Sequence, residues 1–127
     1  MKAQIMSVMA AALLFWSSAL FALQAEPFSK ERFDQLQADN ARILIDVHAD
    51  WCPTCARQQA VLKHYQEKYP DSELVILKVD FDEQKEWVTH FRAPRQSTLI
   101  LYQGEQRKWF SVAETRADVI VEALNKE

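Results

Sequence analysis

Apolar positions along the chain recur with two different periods, and the alternation between them marks out the elements. Ser29 opens a helical pattern in which Phe28 and Phe33 form a hydrophobic staple, Leu36 continues the apolar face and Asp39-Asn40 ends it. Ile43-Leu44-Ile45-Asp46-Val47 is a nearly continuous apolar run, as expected of a strand buried on both faces. Helical spacing returns after Cys52. Pro53 takes the first helical position, where its missing N–H costs nothing, and Val61, Leu62, Tyr65 and Tyr69 share one side until about Lys68, before Pro70-Asp71 breaks the pattern. Leu74 to Val79 reads as a second buried strand, and Glu83 to Phe91 as a short helix with Trp87, Val88 and Phe91 on one side. Thr98 to Tyr102 makes a third strand, and Gly104 lies in the turn to a fourth, around Lys108 to Val112. Thr115 with Asp118 three residues on resembles a capping box, opening a last helix with Val119, Ile120 and Leu124 inward. A βαβ unit followed by an antiparallel pair predicts an α/β fold: one mixed central β-sheet flanked by helices on both faces.

The amino terminus follows neither period. Residues 3–25 carry no charge, Lys2 precedes them, and Leu23-Gln24-Ala25 meets Glu26-Pro27. That is the layout of a secretory signal peptide cleaved after Ala25. The uncharged run Ile5 to Leu23 would also reach about 28 Å as a helix, so an uncleaved anchor formed by residues 5–23 fits as well. Either reading places residues 26–127 outside the cytoplasm, as one periplasmic domain. All 18 acidic residues lie in that domain, with every basic residue except Lys2, and this acidic balance argues against nucleic acid as a partner. Gly104 is the sole glycine, which excludes a Gly-rich phosphate loop.

The chemistry concentrates in "DVHADWCPTCARQQ", Asp46 to Gln59, which holds both cysteines of the chain. As a staple, a bridge across two intervening residues closes a loop too small to constrain the unfolded chain. As a redox pair the spacing makes sense. Cys52 sits at a helix N-terminus, where free N–H groups and the macrodipole favour an anion, so it is the expected attacking thiolate. Cys55 lies one turn inside on the same side, as the resolving thiol that completes the redox-active disulfide. Asp46, a carboxylate in a buried strand, is expected to have a raised pKa.

The segment "ILIDVHADWCPTC" resembles the thioredoxin active site, and the likeness runs over residues 30–126, including "LKVDFDEQ" and "STLILYQGE". The resemblance implies a thioredoxin fold and thiol–disulfide exchange with protein substrates, with no cofactor and a monomeric chain. It assigns Cys52 as nucleophile, Cys55 as resolving thiol and Asp46 as proton acceptor for the inner cysteine, with Lys78 placed to tune Asp46. Trp51 is expected to flank the site and, with Pro53, Thr54, Gln96 and Ser97, to contact the substrate, while Pro53 and Thr54 also influence the reduction potential.

Two positions depart from the family pattern. The family's cis-proline before the hairpin strand is replaced by Ser97 in "RQSTL", where a cis bond would cost about 2.5–4 kcal/mol. Gln96 inherits the place from which the family's loop hydrogen-bonds an extended substrate, and Ser97 brings an N–H and a hydroxyl towards the sulfurs. His48 replaces a tryptophan; it either tunes Cys52 by charge or makes only a local hydrogen bond. His64 and His90 are expected on the surface. Threonine between the cysteines offers no cationic ring to stabilise the thiolate, which favours a reductant or electron carrier fed by a DsbD- or CcdA-type membrane transporter. Two rival readings remain: a metal-binding or metallochaperone module, with Cys52, Cys55 and His48 around Cu(I) or Zn(II), and a non-catalytic adaptor.

Overall fold

Alternation along the central strands sets the architecture. The structure, a computed structural model, describes residues 25–127. The expected signal or anchor segment therefore lies outside the described residues, apart from Ala25. Strand β1 (Ala25–Pro27) is followed by helix α1 (Lys30–Ala38), β2 (Arg42–His48), α2 (Pro53–Lys68), β3 (Val75–Asp80), α3 (Lys85–His90), β4 (Thr98–Gln103), β5 (Gln106–Val112) and α4 (Ala117–Asn125). The five strands form one sheet in the order β1-β3-β2-β4-β5. β1 and β2 run parallel to β3, whereas β4 pairs antiparallel with both β2 and β5.

Ile43, Ile45 and Val47 of β2 face one side of the sheet with Val75, Leu77 and Val79, packed against Phe28, Phe33, Leu36, Val88 and Phe91. Leu44 faces the other side with Ile76, Leu99 and Leu101, against Leu62 and Tyr65 of α2 and Ile120 and Leu124 of α4. Fully burying each such aliphatic side chain stabilises the fold by about 1.5–3 kcal/mol. Asp46, two residues after Leu44, must face the α2 side as well.

The staple forms as expected: Ser29 caps α1 by accepting from the Arg32 N–H, and the Phe28 and Phe33 rings lie 5.7 Å apart. Three details differ from the sequence reading. β1 is an additional strand, too short to show a period. β5 starts two residues earlier, at Gln106. The Thr115–Asp118 capping box does not form; α4 begins after Arg116, whose N–H is taken by the Glu114 carboxylate at 2.9 Å. Gly104 sits at φ +56° in the β4–β5 turn, where a Cβ would lie 2.6 Å from Asn40 Oδ1. Among the described residues, no helix is long and apolar enough to cross a membrane.

Candidate active site

The carboxyl end of β2 delivers the chain to the amino end of α2, and the two cysteines sit at that junction. Cys52 is the N-cap of α2, held by its own N–H on the Ala49 carbonyl (3.1 Å), with Pro53 opening the helix. Its sulfur accepts the Cys55 N–H at 3.1 Å, as a Ser or Asp N-cap oxygen would. The first turn of α2 holds no acidic residue to oppose a negative sulfur. Both cysteines are free thiols and both are buried.

Burial pushes the Cys52 thiol up, but hydrogen bonds from the Cys55 thiol, the Ser97 hydroxyl, the Cys55 N–H and the Gln96 side chain outweigh it, and the net pKa is lowered. Burial and the hydrogen bond to Cys52 push Cys55 the other way. The two sulfurs are thus shifted in opposite directions, Cys52 down and Cys55 up.

Ser97 approaches from the loop before β4. Its Oγ lies 3.2 Å from Cys52 Sγ and 3.1 Å from Cys55 Sγ. No cis peptide occurs among the described residues, so Gln96–Ser97 is trans; the backbone reaches the sulfurs instead through a left-handed Ser97 at φ +66°. The Ser97 N–H does not point at the sulfurs. It donates to Val47 O at 2.7 Å, and the Ser97 carbonyl accepts from Ala113 N–H at 2.9 Å. With no exposure and both backbone groups engaged, Ser97 stands behind the sulfurs, and the half-buried Gln96 is its neighbour towards solvent. Trp51, Pro53 and Thr54 form the rim. Trp51 is 60% exposed and anchored by its Nε1–H on Asp82 at 2.7 Å, so it is a surface group at the edge of the site.

Asp46 lies deeper, with no exposure. Burial raises its pKa, opposed in turn by the Gln59 amide, His48 and Lys78. Gln59 donates to Oδ2, while Oδ1 has no partner. Lys78 occupies the neighbouring register position on β3. His48 turns its Nε2 towards Asp50 Oδ1, 3.9 Å away, and buries an unpartnered Nδ1. His48 is among the groups opposing the shift at Asp46, whereas the hydrogen bonds that lower Cys52 come from Cys55, Ser97 and Gln96. Among the described residues no three His, Cys, Asp or Glu side chains are grouped to hold a metal, so His48 does not join the cysteines as a third ligand. His64 and His90 are exposed, as expected.

Gln58 and Gln59 escaped the sequence reading. Gln58 is fully buried, and its Nε2 donates to Ser97 O and to Glu114 O, each at 3.0 Å. Helical spacing held the clue: Gln58 and Gln59 follow Cys55 by three and four residues, so they share its face.

A protein-family model for thioredoxin matches residues 24–126. The chain belongs to the thioredoxin family. The crystal structure of Trxlp from Edwardsiella tarda EIB202 is similar at 40% identity and a TM-score of 0.76, covering 80% of this chain and 99% of that one. A thioredoxin-2-type protein of Streptomyces coelicolor is 38% identical over 73 residues, spanning 58% of this chain and 53% of that relative, so the match covers about half of its length. Thioredoxin 1 of Chlorobaculum tepidum is 28% identical over 76 residues, spanning 60% and 74% of the two chains.

Proposed function

We propose that the protein is an exported thiol–disulfide oxidoreductase that reduces protein disulfides through the Cys52–Cys55 pair. The observation that carries this reading is the capping geometry: Cys52 Sγ accepts the Cys55 N–H at 3.1 Å at the start of α2, with Cys55 buried one turn inside, and the two thiols are shifted in opposite directions. The Cys52 thiolate attacks a substrate disulfide, forming a mixed disulfide and expelling one substrate thiolate. Cys55 then gives up its proton and attacks Cys52 Sγ, which forms the intramolecular disulfide and releases the second substrate thiolate. The two electrons gained by the substrate are those lost by the cysteine pair. Asp46 supports the second step: a buried carboxyl with a raised pKa and a free Oδ1 is suited to accept the Cys55 proton. Lys78 steadies the carboxylate so formed.

Export rests on the uncharged residues 3–25 behind Lys2, with the soluble domain released after Ala25 or tethered by residues 5–23. In that compartment a reductant must be recharged across the membrane, so a DsbD- or CcdA-type electron transporter is the proposed donor. The reductant direction is supported by Thr54, which lacks a cationic ring to favour the thiolate. A metal-carrier role is less well supported, since two sulfurs leave a tetrahedral site half filled.

Equilibration of the protein with glutathione tests the direction. The expected potential lies nearer the thioredoxin value of about −270 mV than the strong-oxidant value of about −120 mV. A value at the oxidising end would overturn it. In parallel, the Cys55→Ser variant should accumulate mixed disulfides through Cys52, and failure to trap any substrate would argue for a binding role instead.

A further inference from the structure

We propose that the Ser97 hydroxyl is a catalytic residue of the dithiol form, donating to the Cys52 sulfur while accepting from the Cys55 thiol, and that Gln58 is the positioning residue that holds it there. This rests on the exchange reading above and assigns the residue that partitions charge between the two sulfurs.

In each contact either the sulfur or the hydroxyl could supply the proton, and with Cys52 as the anion the hydrogen-bond inventory assigns both directions. A hydroxyl carries one proton and can accept two bonds, whereas a thiolate can only accept. Cys52 Sγ already receives the Cys55 N–H at 3.1 Å, so as an anion it takes the Ser97 proton across 3.2 Å as a second donor. The remaining contact, 3.1 Å from Cys55 Sγ, lets the hydroxyl accept the one Cys55 S–H proton, which it shares with the direct Cys55–Cys52 contact. A chain from Cys55 S–H through Ser97 O–H to the Cys52 sulfur leaves the outer sulfur charged and the inner one protonated. The helix end alone favours an anion but supplies no such bridge.

The serine is held for this contact. Its N–H and carbonyl are both used, on Val47 and Ala113, and its side chain is fully buried, so the sulfurs are the hydroxyl's partners. Ser97 at φ +66° and Ala113 at φ +58° are both left-handed, in loops joined by the Ala113 N–H bond to the Ser97 carbonyl and by Gln58. The buried Gln58 amide ties the Ser97 carbonyl to the Glu114 carbonyl with one nitrogen. It thereby clamps two loops that the left-handed conformation disfavours.

Oxidation removes both contacts, because a disulfide sulfur is neither a charged acceptor nor an S–H donor. The hydroxyl therefore stabilises the dithiol relative to the disulfide, and its removal should make the pair more reducing.

Ser97→Ala and Ser97→Gly, made in the full chain, separate this role from a structural one. Both delete the hydroxyl, but glycine relieves the left-handed backbone and alanine does not. The pH midpoint for alkylation of Cys52, located by peptide mapping, should rise in both variants, cutting the thiolate fraction below the midpoint about tenfold for one charge-assisted hydrogen bond. The equilibrium with glutathione should move about tenfold towards the disulfide in both. Their urea midpoints should diverge, with glycine the more stable. Gln58→Leu should raise the same alkylation midpoint, and combining it with Ser97→Gly should raise it no further. An unmoved Cys52 midpoint in the glycine variant, a midpoint that follows stability, or additive Gln58 and Ser97 effects would overturn the proposal. If instead the wild-type protein forms no Cys52–Cys55 disulfide with glutathione, the exchange reading itself fails.

Discussion

Restoring the family's residue at position 97 should damage this protein rather than repair it. Proline holds φ near about −65°, whereas Ser97 sits at +66° with a trans peptide before it. Ser97→Pro removes the N–H that bonds Val47 O at 2.7 Å and leaves a fully buried strand carbonyl unpaired, a cost of about 1–3 kcal/mol. Rotating φ also swings the Ser97 carbonyl away from Ala113 N–H and Gln58 Nε2, at about 1 kcal/mol for each bond. Release from the left-handed region returns about 1–2 kcal/mol. The net destabilisation is about 1–4 kcal/mol, set against a total of about 5–15 kcal/mol for a domain. Urea unfolding of the reduced protein is the assay, with Ser97→Gly as control because glycine keeps the N–H and suits the left-handed region. The glycine variant should stay within about 1 kcal/mol of wild type, and the proline variant should fall well below both. A proline variant unfolding at the wild-type midpoint would refute the reasoning, because the loop could then discard its left-handed geometry at no cost.

Other changes have equally definite outcomes. Asp46 has a raised pKa, chiefly through burial, so the folded state holds its proton more tightly than the unfolded chain. The stabilisation is complete below the ordinary carboxyl range and is lost as pH rises through the folded-state value. Asp46→Asn should therefore gain stability over wild type as pH climbs from about 4 to 8, while protein-disulfide reduction slows by about tenfold or more; a difference in urea midpoints that stays constant with pH would contradict this. Trp51→Ala should change stability by less than about 1 kcal/mol, since the ring is 60% exposed, yet slow exchange with protein disulfides more than with glutathione. Equal slowing of both substrates would count against a docking role. Gly104→Ala places a Cβ 2.6 Å from Asn40 Oδ1 in a left-handed turn, and thermal unfolding should show a loss of about 1–3 kcal/mol.

The sheet and its helices were legible because burial on both faces writes continuous apolar runs, as in Ile43 to Val47, and helix starts carry chemical marks such as Ser29 and Pro53. The cysteine pair was legible for a related reason: its spacing and its position at a helix start are both local. β1 was not, since three residues containing a proline show no period and gain their place only by pairing with β3. Thr115 suggested a cap, but α4 starts one residue later, with Arg116 at the N-cap and its N–H on the Glu114 carboxylate. Ser97 stood out as a replacement, yet its left-handed backbone depends on Val47, Ala113 and Gln58, which lie far apart in the chain. Gln58 and Gln59 look like surface residues of a polar helix until the sheet beneath them is known to contain Asp46 and to end beside Ser97.

The ionisation of Cys52 tests the central claim most directly. The rate at which iodoacetamide modifies Cys52 in the reduced wild-type chain, measured from pH 4 to 10 with peptide mapping to separate it from Cys55, gives the midpoint. The account predicts a Cys52 midpoint below the free-cysteine value of about 8.5, with Cys55 above it. Two sulfurs titrating together at or above that value would contradict it.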